Sequence, residues 1–384
     1  MVYLDNAATT KPKEEVIKVI NDSMQNDWCN PSSLYKPAYK VADKIKEARK
    51  IIADSIGAKP EEIYFTSGGS EGNNMILQGY QYPYLKGDAF ISAVEHKSIT
   101  SIYNTAKHVI GVQENGYVNL KELESELESY RKQHFGDDPL VSIQYVNNET
   151  GVIQDIKAIS KIVHKYNGIF HTDAVQAFPH QNINVVKQDI DMMTVSGHKF
   201  GCPKGIGFVY IKEKYRNRIN PLINGSQERG MRGGTENVPY ILGLAKAVQC
   251  RTLVGRDTLI VDELTGKSFE NAGTAQHYFE GRLKELGCTI NCENSKRVGT
   301  IISCTLPEGI LGELLMFYLG FEDIYVSTGS ACNSKSNQPS YVLEALGLSD
   351  NEINRTIRIS FDFDITFKDI DNVISVMKKY IIKR

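Results

Sequence analysis

Between residues 35 and 211 the chain alternates short apolar runs with stretches of helical spacing, and that alternation restricts it to one class of fold. Ala38, Val41, Ala42, Ile45, Ala48 and Ile52 recur three and four residues apart, which predicts a helix over 35–56. Residues 63–66 read as a short buried strand, followed by Ser67-Gly68-Gly69-Ser70 and a second helix. Further strands are expected over 89–94, 140–146, 169–173, 191–196 and 207–211, with helices near 120–130 and over 155–166. Asn119 and Glu122 have the spacing of a capping box at the start of the helix near 120. Strand and helix in such repetition call for βαβ units and a mainly parallel sheet flanked by helices, the α/β class.

A chain of 384 residues is long for a single core. The apolar pattern weakens around 251–275, and beyond it residues 299–305 and 356–361 read as strands among helices. This predicts a large domain over 15–254, with 1–14 and 255–384 forming a smaller α+β domain. The formal net charge of −2 gives no general pull toward nucleic acid or an anionic membrane. No apolar run approaches the ~20 residues of a membrane span, and the first residues lack the basic and apolar regions of a signal peptide, so a cytoplasmic location is expected. Seven irregularly spaced Cys argue against a disulfide framework. Cys288 and Cys292 have no second pair nearby, so no metal site is expected.

Several segments carry chemistry. Ser196-Gly197-His198-Lys199 follows a strand, and Asp173 ends the strand before it, with Gln176 just beyond. A lysine that can bind an aldehyde and an acid that can pair with a ring nitrogen are the two protein requirements of pyridoxal phosphate. For each residue a plainer role stays open: an exposed loop lysine, a helix N-cap at Asp173, a solvated Gln176. Gly68, Gly69 and Ser70 sit where strand turns into helix, which suits either an anion held by backbone N–H groups or a capped tight turn. His96 follows the strand at 89–94 and reads as a ring-stacking or proton-shuttling residue, or as packing. Arg358, on a strand of alternating polarity, could clamp a carboxylate or form a structural salt bridge. Cys332 lies in the small-residue run Ser327-Thr328-Gly329-Ser330-Ala331-Cys332, which suits an accessible thiol.

In order along the chain these segments resemble the NifS/IscS-like cysteine desulfurases, within the class V relatives of the fold-type I pyridoxal-phosphate enzymes. The resemblance rests on Tyr3–Thr10, Glu95-His96-Lys97, Val146–Gly151, His171–Gln176, Ser196–Lys199, Gln227–Asn237 and Gly329–Cys332. It implies L-cysteine as substrate, pyridoxal 5'-phosphate as cofactor and alanine as product. By position, Lys199 would hold the cofactor, Asp173 its ring nitrogen and Gln176 its phenolic oxygen. His96 would stack on the ring with Asn148 beside it. Gly69, Ser70, Ser196 and His198 would bind phosphate, joined by Thr235 from the other subunit of a homodimer. Arg358 and Asn148 would bind substrate, and Cys332 would accept sulfur as a persulfide.

Two departures stand out: Ser70 where many relatives carry Thr, and Asn224-Gly225-Ser226 in place of a more glycine-rich stretch. Relatives that feed an iron–sulfur scaffold carry a longer C-terminal tail than the Lys383-Arg384 ending here. A scaffold for iron–sulfur cluster assembly and a tRNA-thiolation protein therefore rank equally as the sulfur acceptor. The alternatives are a selenocysteine lyase, another class V transaminase or lyase, and a non-enzymatic sulfur-assembly subunit.

Overall fold

Every residue of Ile169–Asp173 and of Met192–Ser196 is buried, as strands must be when helices cover both faces of their sheet. The computed structural model describes all residues except 82–87, 103–106, 135, 137, 254–259, 262–267, 270–271, 330–338 and 383–384. Its central sheet has seven strands: β2 (Ile63–Thr66), β3 (Ala89–Ser92), β4 (Lys107–Ile110), β5 (Leu140–Ser142), β6 (Ile169–Asp173), β7 (Met192–Ser196) and β8 (Gly207–Ile211). Their spatial order is β2-β8-β7-β6-β5-β3-β4. Only β8 runs against its neighbours, and the pairs from β7 to β4 are parallel.

Consecutive strand residues enter opposite cores, which is the period-two rule at work. Phe170, Met193 and Phe208 pack with helices α1 (Glu14–Asn26), α2 (Lys36–Ile56) and α7 (Val238–Leu253) through Val16, Ile52 and Leu244. Ile169, Met192 and Val209 face the other way, onto Ile76 and Leu77 of α3 (Gly69–Gln81). Between these strands lie α4 (Lys97–Thr100), α5 (Leu120–Gln133) and α6 (Ile156–Lys165).

A separate core forms around a three-stranded antiparallel sheet of β11 (Thr289–Ile290), β12 (Ile301–Thr305) and β14 (Thr356–Ser360). It takes in Phe279 of α8 (Ala272–Glu285), Leu315 of α9 (Gly312–Phe321) and Met377 of α12 (Phe367–Ile382). A short parallel pair, β1 (Val2–Tyr3) with β13 (Ile324–Tyr325), brings the N-terminus to this core. A further antiparallel pair joins β9 (Ile260–Val261) to β10 (Ser268–Phe269), and α10 (Tyr341–Ala345) and α11 (Asp350–Asn354) precede β14. Leu4 belongs to this second core and Ala7 to the first, so only Asp5 and Asn6 lie between the two cores at this point of the chain. The expected boundary at 254/255 lies at and beside undescribed residues.

Two strands stop short of the sequence expectation, β3 at Ser92 and β5 at Ser142. Side chains take over there: Glu95 Oε1 accepts from Ser92 Oγ at 2.6 Å and from the Gln144 backbone N–H at 2.8 Å. Apolar burial continues to Val94 and Val146, so hydrophobicity alone could not mark the strand ends. The helix at 120 has its cap, with Asn119 Oδ1 accepting from the Glu122 N–H. The reciprocal half of the expected box is diverted, because Glu122 Oε1 accepts instead from the Gly111 N–H at 3.2 Å.

The outer edge of β2 is occupied by side chains. Arg49 Nη1 and Arg229 Nη2 each donate to the Ile63 carbonyl at 2.7 Å, and Glu228 Oε2 accepts the Phe65 N–H at 3.0 Å. Arg49 and Glu228 are themselves joined by two 2.7 Å hydrogen bonds.

Candidate active site

Five strands end at one edge of the sheet, and each delivers a candidate residue there. After β2 come Gly68 and Gly69, after β3 His96, after β5 Asn148, at the end of β6 Asp173, and after β7 the run Ser196–Lys199. The carboxyl edge of parallel strands is the usual ligand side of such sheets.

Asp173 is buried and holds only neutral partners: Oδ2 accepts from Asn73 Nδ2 at 2.7 Å and Oδ1 from the Val175 N–H at 2.9 Å. No salt bridge reaches it among the described residues. A buried carboxylate without a cation calls for one, and each oxygen keeps room for a further donor. Gln176 Nε2 donates to the Ala7 carbonyl at 2.8 Å, and Lys199 Nζ donates to the carbonyls of Ala7 and Ala8 at 2.5 and 2.9 Å. His198 Nδ1 lies 3.1 Å from Thr9 Oγ1. Burial, with the Lys199 and Lys204 charges, pushes His198 down to about 4, so its ring is neutral. The N-terminal segment thus lines the site, a part that sequence reasoning gave no role.

The turn into α3 is built for close approach. Gly68 has φ +149°, and a Cβ on Gly69 would stand 2.9 Å from Val175 Cγ2. A Cβ on Gly207 would meet Gly68 Cα at 2.9 Å. A Cβ on Gly68 would stand 3.3 Å from the Ser196 hydroxyl, which puts that hydroxyl beside the start of α3, and Ser70 is exposed in the first turn. Free helix N–H groups beside a serine hydroxyl suit a phosphate. With an amine at Lys199 and an unpaired acid at Asp173, the donor set fits pyridoxal phosphate.

Arg358 is buried, its Nη2 2.6 Å from Asp5 Oδ1 and its Nη1 donating to the Asn148 carbonyl at 2.9 Å. Its Nε has no hydrogen-bond partner. The sequence left two readings of this residue open. The structure supplies a salt bridge to Asp5, and a hydrogen bond to the backbone of Asn148, another candidate residue.

Two carboxyls that sequence reasoning passed over lie behind these residues. Burial pushes Glu95 up to about 8, against the hydrogen bonds from Ser92 and Gln144. Burial also raises Glu149, whose Oε2 accepts from Ser340 Oγ at 2.6 Å. A carboxyl raised in the folded state stabilises the fold when protonated. That contribution is full below the unfolded value of about 4.3 and is lost as pH rises through about 8. Glu95→Gln should therefore flatten the fall in thermal stability between pH 5 and pH 8, measured as Tm difference from wild type. Parallel Tm curves for the two proteins would refute this.

Thr235 is exposed in the segment before α7. Cys332 lies outside the described residues. Its nearest described neighbours along the chain are Gly329, where a Cβ would stand 3.2 Å from Glu149 Oε2, and residue 339. Of the other thiols, Cys202, Cys250, Cys288 and Cys304 are buried. Burial raises Cys202 to about 12 and Cys292 to about 11.

No helix among the described residues is long and apolar enough to cross a membrane. Residues 2–373 match the class-V aminotransferase family. The chain is 37% identical to the cysteine desulfurase IscS of Methanosarcina thermophila, over all of this chain and 92% of that protein. It is 35% identical to the IscS of Dictyoglomus turgidum, over all of this chain and 95% of that one. Among solved structures, a NifS-like protein from Rickettsia africae aligns over the full length of both chains with TM-score 0.86 and 32% identity. SspA, solved in complex with cysteine, aligns over 94% of this chain and 99% of its own with TM-score 0.79 and 32% identity. The chain belongs to the class-V aminotransferase family, in its IscS/NifS-like group of cysteine desulfurases.

Proposed function

We propose that this protein uses pyridoxal 5'-phosphate to take sulfur from L-cysteine onto Cys332, releases alanine, and passes the sulfur to an acceptor protein. The observation that carries the reading is the buried Asp173 carboxylate with only neutral partners, at the same sheet edge as the Lys199 amine and the glycine cleft. When bound, the cofactor supplies an electron sink.

The chain's own groups supply the rest. Asp173 would hold the ring nitrogen, Gln176 the phenolic oxygen, and Gly69, Ser70, Ser196 and His198 the phosphate. Lys199 Nζ anchors the cofactor and moves the proton at the substrate Cα. Arg358 and Asn148 would orient the substrate carboxylate, and His96 would stack on the cofactor ring. The Cys332 thiolate attacks the substrate sulfur: a sulfur–sulfur bond forms, the carbon–sulfur bond breaks, and a proton completes alanine. Residues 15–254 serve as the cofactor-binding part, and residues 1–14 with 255–384 as the part carrying Cys332. Two subunits pair so that Thr235 of one completes the phosphate site of the other. An iron–sulfur scaffold and a tRNA-thiolation protein are equal candidates for the acceptor. The test is mass spectrometry after adding cysteine: one extra sulfur on the Cys332 peptide is expected, and its absence, or its first appearance on another Cys, would overturn the reading.

Arg358→Ala should raise the Michaelis constant for cysteine at least ~10-fold, since a hydrogen bond to a charged group contributes roughly 1.5–3 kcal/mol. It should also lower Tm, because Asp5 loses its ion pair. Arg358→Lys should recover part of both effects, an ammonium lacking the planar fork. A lower Tm with an unchanged Michaelis constant would assign Arg358 to structure alone.

A further inference from the structure

Asn73, on α3, is 1% exposed and absent from every role assigned above. Its Nδ2 donates to two acceptors, Asp173 Oδ2 at 2.7 Å and Ser98 Oγ at 2.9 Å. An ionised carboxylate only accepts, so the amide is fixed with its nitrogen toward Asp173. Its Oδ1 is left buried without a partner. A bare buried carbonyl is costly, and the amide tolerates it in exchange for both donations.

The direction of donation continues along the chain of contacts. Ser98 Oγ receives from Asn73, so its own O–H is free to point onward to His96 Nδ1, 2.8 Å away. The Ser98 backbone N–H donates to the same Nδ1 at 3.1 Å, with His96 as N-cap of α4. A ring nitrogen that accepts an N–H carries no proton, so neutral His96 bears its proton on Nε2. Nε2 is the ring nitrogen outside this chain of contacts. With a hydrogen already on it, Nε2 can donate but cannot take up a proton.

We propose that Asn73 and Ser98 are positioning residues that hold His96 in its Nε2–H form, so that His96 meets the substrate as a hydrogen-bond donor to an anionic atom and not as the proton acceptor. This rests on the desulfurase reading for the substrate, but the state of the ring can be measured independently. In ¹⁵N-labelled protein, with and without cofactor, the His96 ring, assigned against His96→Asn, should show the Nε2–H tautomer. Ser98→Ala leaves Asp173 and its Asn73 contact in place while removing one of the two donors to Nδ1. It should lower kcat for alanine release about fivefold or more, keep the Michaelis constant within about twofold, and give a measurable share of Nδ1–H. Ser98→Thr keeps the hydroxyl and should restore both the rate and the tautomer. An Nδ1–H ring in the wild type, or an unchanged kcat in Ser98→Ala, would overturn the proposal. A wild type that releases no alanine from cysteine would overturn the desulfurase reading instead, leaving the tautomer to be decided by the ring spectrum.

Discussion

Cys332→Ser should release no alanine from cysteine, yet bind cofactor and substrate as the wild type does. A hydroxyl is a far poorer nucleophile toward sulfur than a thiolate, and the remaining steps use other residues. The claim is selective, because six other Cys are present. Cys202 and Cys292 are held at about 12 and 11 by burial, so neither is poised as a thiolate at neutral pH. Cys202→Ser and Cys304→Ser should keep alanine release within about threefold, apart from the Tm lost by placing a hydroxyl in a buried position. The measurement is alanine production combined with peptide mapping of the persulfide. Normal alanine release by Cys332→Ser would overturn the mechanism.

Lys199→Ala should lose at least ~10³-fold in alanine release, since in the proposed mechanism Lys199 is both the covalent anchor and the group that moves the Cα proton. The visible absorption of the lysine-bound cofactor should vanish, while some cofactor stays through the phosphate contacts. Lys199→Arg separates chemistry from packing. It keeps a cation and N–H donors near the Ala7 and Ala8 carbonyls, but a guanidinium does not deprotonate and cannot bind an aldehyde in the same way. Its Tm should approach that of the wild type while its activity stays as low as that of Lys199→Ala. Substantial turnover by either variant, measured with excess cofactor, would remove Lys199 from the mechanism.

What could be read in the sequence follows from what is local. The runs at 63–66, 169–173 and 207–211 match β2, β6 and β8 residue for residue, because each is a compact, fully buried strand. The placement of Asp173 and Lys199 at the sheet edge was legible for the same reason, one ending β6 and the other following β7. The ends of β3 and β5 were not, because apolar burial runs on past them to Val94 and Val146 while the Glu95 carboxyl takes up the Ser92 hydroxyl and the Gln144 N–H. Contacts across long stretches of sequence were hidden altogether. Arg358 meets Asp5 across 353 residues, and Asn73 meets Asp173 across 100. One local sign did exist: two adjacent asparagines early in a helix are poor helix formers, and such a pair asks for a reason outside propensity.

The border of the central sheet at β2 has a consequence for the protein's life in a crowded solution. An open strand edge is a template on which another chain can add, and unprotected ones lead to self-association. Here the outward groups of Ile63 and Phe65 are already bonded to Arg49, Arg229 and Glu228. A strand arriving from elsewhere would have to displace two guanidinium groups and a buried carboxylate before making its first ladder bond. These three side chains act as a charged selvedge on the sheet, keeping it from fraying into aggregates.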